Sequence, residues 1–137
     1  MALPCQIDTI ILMIDHVSLR VSDIVKAKEF YSKALAPLGY TLMRDMPEYG
    51  VAGFGEGGKA DLWLNGKGTE DEMHLALSAK DKMAVEGFHK EALAAGGTDN
   101  GGPGYRKEYS PGFYAAFIKD MDGHNIEVVF HDPNPSE

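Results

Sequence analysis

A self-similarity at fixed offset constrains this chain more than any other feature. Residues 16–39, HVSLRVSDIVKAKEFYSKALAPLG, align without a gap on residues 74–97, HLALSAKDKMAVEGFHKEALAAGG, at an offset of 58 (74 − 16 = 58). Eight of the 24 columns are identical: His16/His74, Leu19/Leu77, Asp23/Asp81, Phe30/Phe88, Ala34/Ala92, Leu35/Leu93, Ala36/Ala94 and Gly39/Gly97. Two copies with so long a period do not make a solenoid. They predict a duplicated half-domain with pseudo-two-fold symmetry, within the single domain that 137 residues suit.

Each copy reads as a strand followed by a helix. In His16–Val21 the apolar Val17, Leu19 and Val21 alternate with His16, Ser18 and Arg20, the period of a strand buried on one face, and the segment from His74 alternates likewise. Asp23 and Asp81 stand at helix N-caps. Apolar residues at helical spacing follow, Phe30, Ala34, Leu35 and Leu38 in one copy and Val85, Phe88, Ala92 and Leu93 in the other, until Gly39 and Gly96–Gly97 stop the helices. Short strands come next, expected at Tyr40–Met43, Gly50–Phe54 and Ala60–Leu64, then at Gly104–Tyr109, Phe113–Ile118 and Asn125–His131. The expected fold is α+β, two βαβββ modules forming a curved mixed sheet around a cleft.

Strand parity then selects candidate functional residues. If Val17 and Leu19, and Leu75 and Leu77, cover the helices, His16 and His74 point the other way. In the last strand of each half Leu62 and Leu64, and Ile126, Val128 and Phe130, take the apolar role, so Asp61 and Glu127 share the face of the histidines. Around one cleft these four would converge. Two imidazoles with one or two carboxylates suit a divalent first-row metal (Zn, Ni, Co, Mn or Fe(II)) with positions left open for substrate. The same pattern also fits a sheet that shows a polar face to water. Trp63, Val129 and Tyr114, expected on that face, are unusual company for a solvated one.

Composition removes other classes. The formal charge is −8, with 13 Lys and Arg against 21 Asp and Glu, and the basic residues are scattered, so no nucleic acid or anionic membrane partner is expected. One cysteine, Cys5, excludes an internal disulfide and fits a reducing, cytoplasmic setting. The apolar run Ile10–Ile14 is too short to span a bilayer, and Met1–Thr9 holds an acid and no basic residue, unlike a signal peptide.

Several stretches together resemble the vicinal oxygen chelate superfamily, which includes glyoxalase I, extradiol dioxygenases, fosfomycin-resistance enzymes and bleomycin-binding proteins. They are Ile14-Asp-His16-Val-Ser-Leu-Arg-Val-Ser-Asp23, the Phe30-Tyr31 helix ending at Leu38-Gly39, His74-Leu-Ala-Leu77, and Asp120-Met-Asp-Gly-His-Asn-Ile-Glu127. The resemblance runs from Met13 to about Asp132. It implies repeats at about 13–66 and 71–132 within a single domain 13–137, with 1–12 as an extension. It implies metal ligands at His16, His74 and Glu127, with Asp61 at the fourth position, one methylene shorter than the glutamate of glyoxalase I. Glu127 is implied as the catalytic base, while Arg20, Trp63, Tyr114 and His131 are candidates for substrate binding. The implied activity is a metal-dependent lyase or isomerase reaction on a small molecule with adjacent oxygens, such as a thiol–ketoaldehyde adduct, in a homodimer. Alternatives within the superfamily are an extradiol-type dioxygenase and a metal-free antibiotic-binding protein of the bleomycin-sequestering kind.

Other signals carry less. Gly53-x-Gly55-x-x-Gly58 has the letters of a dinucleotide motif but opens no helix, so it reads as a loop. Asp120-x-Asp122-Gly123 reads as a hairpin turn, since a calcium loop needs more ligands. His89 and His124 read as surface residues, and Gly101–Pro111 as a long irregular loop beside the cleft.

Overall fold

Alternation and capping dictate most of the architecture. In the computed structural model, which describes residues 14–68 and 71–135, the order is β1 (Val17–Arg20), α1 (Ile24–Ala34), β2 (Thr41–Met46), β3 (Val51–Glu56) and β4 (Lys59–Asn65), then β5 (His74–Ser78), α2 (Lys82–Ala94), β6 (Thr98–Tyr105), β7 (Phe113–Lys119) and β8 (Asn125–His131). Both halves are therefore βαβββ. The expected extension 1–12, Met13 and Cys5 lie outside the described residues.

The fold is α+β with two mixed sheets. Strand order is β1-β4-β3-β2 in one and β5-β8-β7-β6 in the other, so each βαβββ module contributes its own four-stranded mixed sheet. In each, the first strand pairs in parallel with the last, Val17 opposite Leu62 and Leu75 opposite Ile126, and the remaining pairs are antiparallel. Parallel neighbours need a crossover, which each helix supplies.

The caps form as the acids predict. Asp23 accepts from the Lys26 N–H at 3.1 Å and Asp81 from the Ala84 N–H at 2.8 Å. α1 buries Ala27, Phe30, Tyr31 and Ala34, while α2 buries Val85, Phe88 and Ala92. Each helix packs on its own sheet, and the two helices pack on one another. One continuous core results, running from Leu19, Phe54, Leu62 and Leu64 through both helices to Ala116, Ile118, Ile126 and Val128.

Two expectations about local structure give way. Gly101–Pro111 is not one long loop, because Thr98–Tyr105 pairs with β7 and only residues 106–112 turn back. β6 is an edge strand, where Pro103 costs no ladder bond on the open side, and register shifts around Gly101 absorb the irregularity. Gly53 lies inside β3, as the expected strand Gly50–Phe54 has it, and Gly55 lies there too rather than in a loop, with Gly57 and Gly58 forming the turn after it.

His124 is buried rather than superficial, at 1% exposure. Its Nδ1 accepts the Met73 N–H at 2.9 Å and its Nε2 lies 2.7 Å from the Arg20 carbonyl, so it joins the starts of β5 and β8 to the end of β1. Close by, Tyr31 donates its hydroxyl to Asp120 Oδ2 at 2.6 Å, and Asp120 Oδ1 accepts the backbone N–H groups of Asp122 and His124. Asp122 in turn accepts from the Ser22 N–H. The Asp120–Gly123 stretch is thus a hairpin turn, as expected, and also the polar joint between the halves. His89 is half-buried on α2 and pairs with Asp99 at 2.9 Å.

Candidate functional site

Glu127 stands on β8 between Ile126 and Val128, which face the core, so parity sends its carboxylate to the opposite face. That face is not open water, for Glu127 is only 6% exposed. His74, at the start of β5, brings its Nε2 to 3.1 Å from Glu127 Oε1, with its own side chain about half exposed at 53%. A buried carboxylate with an accessible imidazole beside it can accept or relay a proton. Antiparallel register places Phe117 opposite Glu127, Ala115 opposite Val129 and Phe113 opposite His131. His131 therefore shares the Glu127 face, its ring 5.4 Å from that of Phe113, which in turn meets Tyr109 at 5.2 Å.

The first half presents the equivalent face. His16 precedes β1 and holds Asp15 at 2.8 Å through Nδ1. The parallel register that sets Val17 opposite Leu62 also sets Ser18 beside Trp63 and Arg20 beside Asn65, and carried back one residue it sets His16 beside Asp61. Asp61 accepts the Tyr40 hydroxyl at 2.8 Å. Burial, followed by this bond, pushes the Tyr40 phenol up to about 12. The contact to Lys59, and then that to His16, hold the Asp15 carboxyl below its ordinary value. Arg20 is exposed, and its carbonyl rather than its guanidinium serves the His124 joint.

The four residues expected to converge do so only in pairs. A small crevice of about 190 Å³ holds His16, Tyr40 and Asp61, and its far wall is Leu75, Ala76 and Leu77 of β5, not His74 or Glu127. Among the described residues no group of three or more His, Cys, Asp and Glu side chains lies close enough to hold a metal ion. Within the chain the four therefore form no single ligand group: the crevice of His16 and Asp61 meets β5 at Leu75, Ala76 and Leu77, while His74 and Glu127 pair with each other.

Tyr114 is a second correction. It pairs with Phe130, one residue out of phase with Glu127, and therefore lies on the helix side of its sheet. There its hydroxyl donates to Glu86 of α2 at 3.0 Å and its ring meets Tyr105 edge-on at 5.0 Å. Trp63 does keep the expected face, and it shares a crevice with His16, Met43 and Arg44. Sequence reading missed Tyr40, Met43 and Arg44. Tyr40 follows the helix-ending Gly39, a position that signals a new strand but not a hydroxyl aimed at Asp61.

The profile of the Glyoxalase/Bleomycin resistance protein/Dioxygenase superfamily matches residues 13–128. No curated protein matches the chain. Among solved structures, a glyoxalase/bleomycin resistance protein from Albidiferax ferrireducens superposes with a TM-score of 0.73 at 23% identity, over 90% of this chain and 100% of that one. A glyoxalase/bleomycin resistance protein/dioxygenase family enzyme from Burkholderia phytofirmans gives 0.64 at 19% identity, over 86% of this chain and 98% of that one. Glyoxalase I from Zea mays gives 0.62 at 23% identity over 89% of this chain, which spans 46% of the maize protein. At these identities the likeness is one of fold.

Proposed function

The chain belongs to the glyoxalase/bleomycin resistance protein/dioxygenase superfamily, and from that membership we propose a metal-dependent lyase or isomerase whose sites are completed between two copies of the chain. The observation that carries this reading is the buried Glu127 carboxylate held 3.1 Å from an accessible His74, with no third His, Cys, Asp or Glu among the described residues close enough to complete a site with them. In kind, two imidazoles and two carboxylates fit a divalent first-row ion. In number, each face of one chain brings two of these four together, His16 with Asp61 and His74 with Glu127. A two-fold dimer that laid the His16 and Asp61 face of one chain against His74 and Glu127 of the partner subunit would assemble the full set twice.

A divalent ion held there would supply Lewis acidity to two adjacent substrate oxygens. The chain's own part is proton transfer and positioning. Glu127 takes the proton from the carbon beside a carbonyl and returns it to the neighbouring carbon, while the hydroxyl proton passes between the two oxygens, so the adduct is isomerised without an external oxidant. Low exposure keeps that carboxylate away from bulk water. Arg20 and Trp63 stand along the facing strands to orient the substrate.

A mixing experiment tests the shared site. His16→Ala and His74→Ala proteins, each inactive in thioester formation from methylglyoxal and a thiol, are unfolded together, refolded as a mixture and assayed with Ni(II), Zn(II), Mn(II) or Fe(II). Half the dimers are then mixed, and each mixed dimer has one intact site, so about a quarter of parental activity and metal binding returns. No recovery, with either variant alone binding metal like the parent, overturns the proposal.

A further inference from the structure

We propose that the crevice beside His16 is a subsite for a planar apolar group bearing an anionic substituent, with Trp63 as the stacking platform and Arg44 as the anion's partner. The inference deepens the proposed function and rests on it for where the chemistry occurs. It narrows the substrate class: an adduct whose carbonyl part or thiol part carries an aromatic or conjugated acid group seated in this crevice.

The glycine run that failed as a nucleotide motif supplies the floor. A Cβ on Gly53 would come within 3.0 Å of the Trp63 ring atoms Cη2 and Cζ3 and 2.9 Å of the Ala60 Cβ, and one on Gly55 within 2.9 Å of Met43 Sδ. Without those side chains the indole and the thioether lie down on β3. A bulge in β2 does the rest. Leu42 pairs with Phe54 and Arg44 with Gly53, which leaves Met43 as an extra residue, and both Met43 and Arg44 reach the same crevice.

The resulting space measures about 450 Å³, within the range of small-molecule sites. Met43, Ala60 and Trp63 give it an apolar floor, with His16 in its lining. Its charges do not balance. Lys59 is paired with Asp15, which also holds His16. Arg44 has one hydrogen bond, from Nη2 to the Met46 sulfur at 3.9 Å, and no carboxylate partner among the described residues. A flat apolar surface with one unmatched guanidinium above it is complementary to a planar anion, since stacking uses the ring and a forked donor suits an oxyanion.

Trp63 is the chain's only tryptophan, so its emission reports on this crevice alone. The full chain, with metal removed by chelation, is titrated with 3-phenylpropanoate, with the neutral 3-phenylpropan-1-ol and with acetate while tryptophan emission is followed. The acid should change the emission saturably and bind at least about tenfold more tightly than the alcohol, and acetate should leave it unchanged. Arg44→Met, at an exposed position, should erase the preference for the acid and leave the alcohol's affinity as it was. Silent Trp63 emission, equal binding of acid and alcohol, or a preference that survives Arg44→Met overturns the subsite. The two failures separate: an ion bound in the mixing experiment with silent Trp63 refutes the subsite alone, while acid binding without any ion-dependent recovery refutes the proposed function and leaves the subsite.

Discussion

Tyr31→Phe isolates one bond of the joint between the halves. Tyr31 is 1% exposed and its hydroxyl donates to Asp120 Oδ2 at 2.6 Å, while Oδ1 is already occupied by the Asp122 and His124 N–H groups. Phenylalanine keeps the ring, its edge-on packing against Phe30 at 4.9 Å and nearly all the volume, so the loss is the hydroxyl alone. It leaves a buried carboxylate oxygen without its donor, at a cost of about 1.5–3 kcal/mol for a bond to a charged group. An unfolding entropy of about 2.1 cal/mol/K per residue over 137 residues amounts to about 0.29 kcal/mol/K. The melting temperature should therefore fall by about 5–10 °C, read by circular dichroism at neutral pH. Tyr49→Phe, at a tyrosine 70% exposed, is the control and should shift it by no more than about 2 °C. A Tyr31→Phe protein melting within that same margin of the parent would refute the view that this bond ties the halves together.

Three further outcomes follow from the geometry. Tyr40 has its folded pKa raised to about 12 from an ordinary 10.0. Its contribution is then present in full below pH 10 and lost as pH rises toward 12, so Tyr40→Phe should flatten the alkaline fall of stability in that window; an unchanged slope counts against the raised pKa that burial and the Asp61 bond together produce. Gly53→Ala forces a Cβ to 3.0 Å from the Trp63 ring and 2.9 Å from the Ala60 Cβ. It should destabilise by about 1–3 kcal/mol in urea and shift the tryptophan emission, and an unaltered spectrum would show that the indole does not lie on β3. His124→Leu removes the acceptor for Met73 and the partner of the Arg20 carbonyl in a buried place. A loss of about 2–3 kcal/mol is expected from the urea midpoint, and less than about 0.5 kcal/mol would remove His124 from the joint.

Alternation and caps were legible because they are local. His16, Val17, Leu19 and Asp23 state their faces and roles within one strand and one turn, and their counterparts from His74 repeat them. Parity also placed Asp61, Trp63, Glu127 and His131 on the face away from the helices. What failed depends on distant partners. Tyr114 landed on the helix side because the length of the Asp120–His124 turn sets the β7–β8 register, and nothing inside β7 reveals it. His124 looked exposed in a polar turn, yet its two ring bonds reach residues 51 and 104 positions away in sequence. Gly55 read as a loop because glycines at alternate positions leave one face of the strand without side chains to show its alternation, and the gaps are explained only by Trp63 and Met43 lying against Gly53 and Gly55. Whether four ligands meet is further removed still, since it depends on how two sheets are arranged and not on either one.

Because every strand ladder among the described residues lies within one half, each sheet can close before the other exists. The closures are alike: Val17 to Leu62 spans 45 residues (62 − 17 = 45) and Leu75 to Ile126 spans 51 (126 − 75 = 51), and closure entropy grows only slowly with such lengths. Synthesis runs from the N-terminus, and a chain this size can fold in units as it emerges. All four strands and the helix of the first sheet thus precede α2 in synthesis, whereas the contact of Phe30 on that helix with Gly97, just past the end of α2, needs the second half.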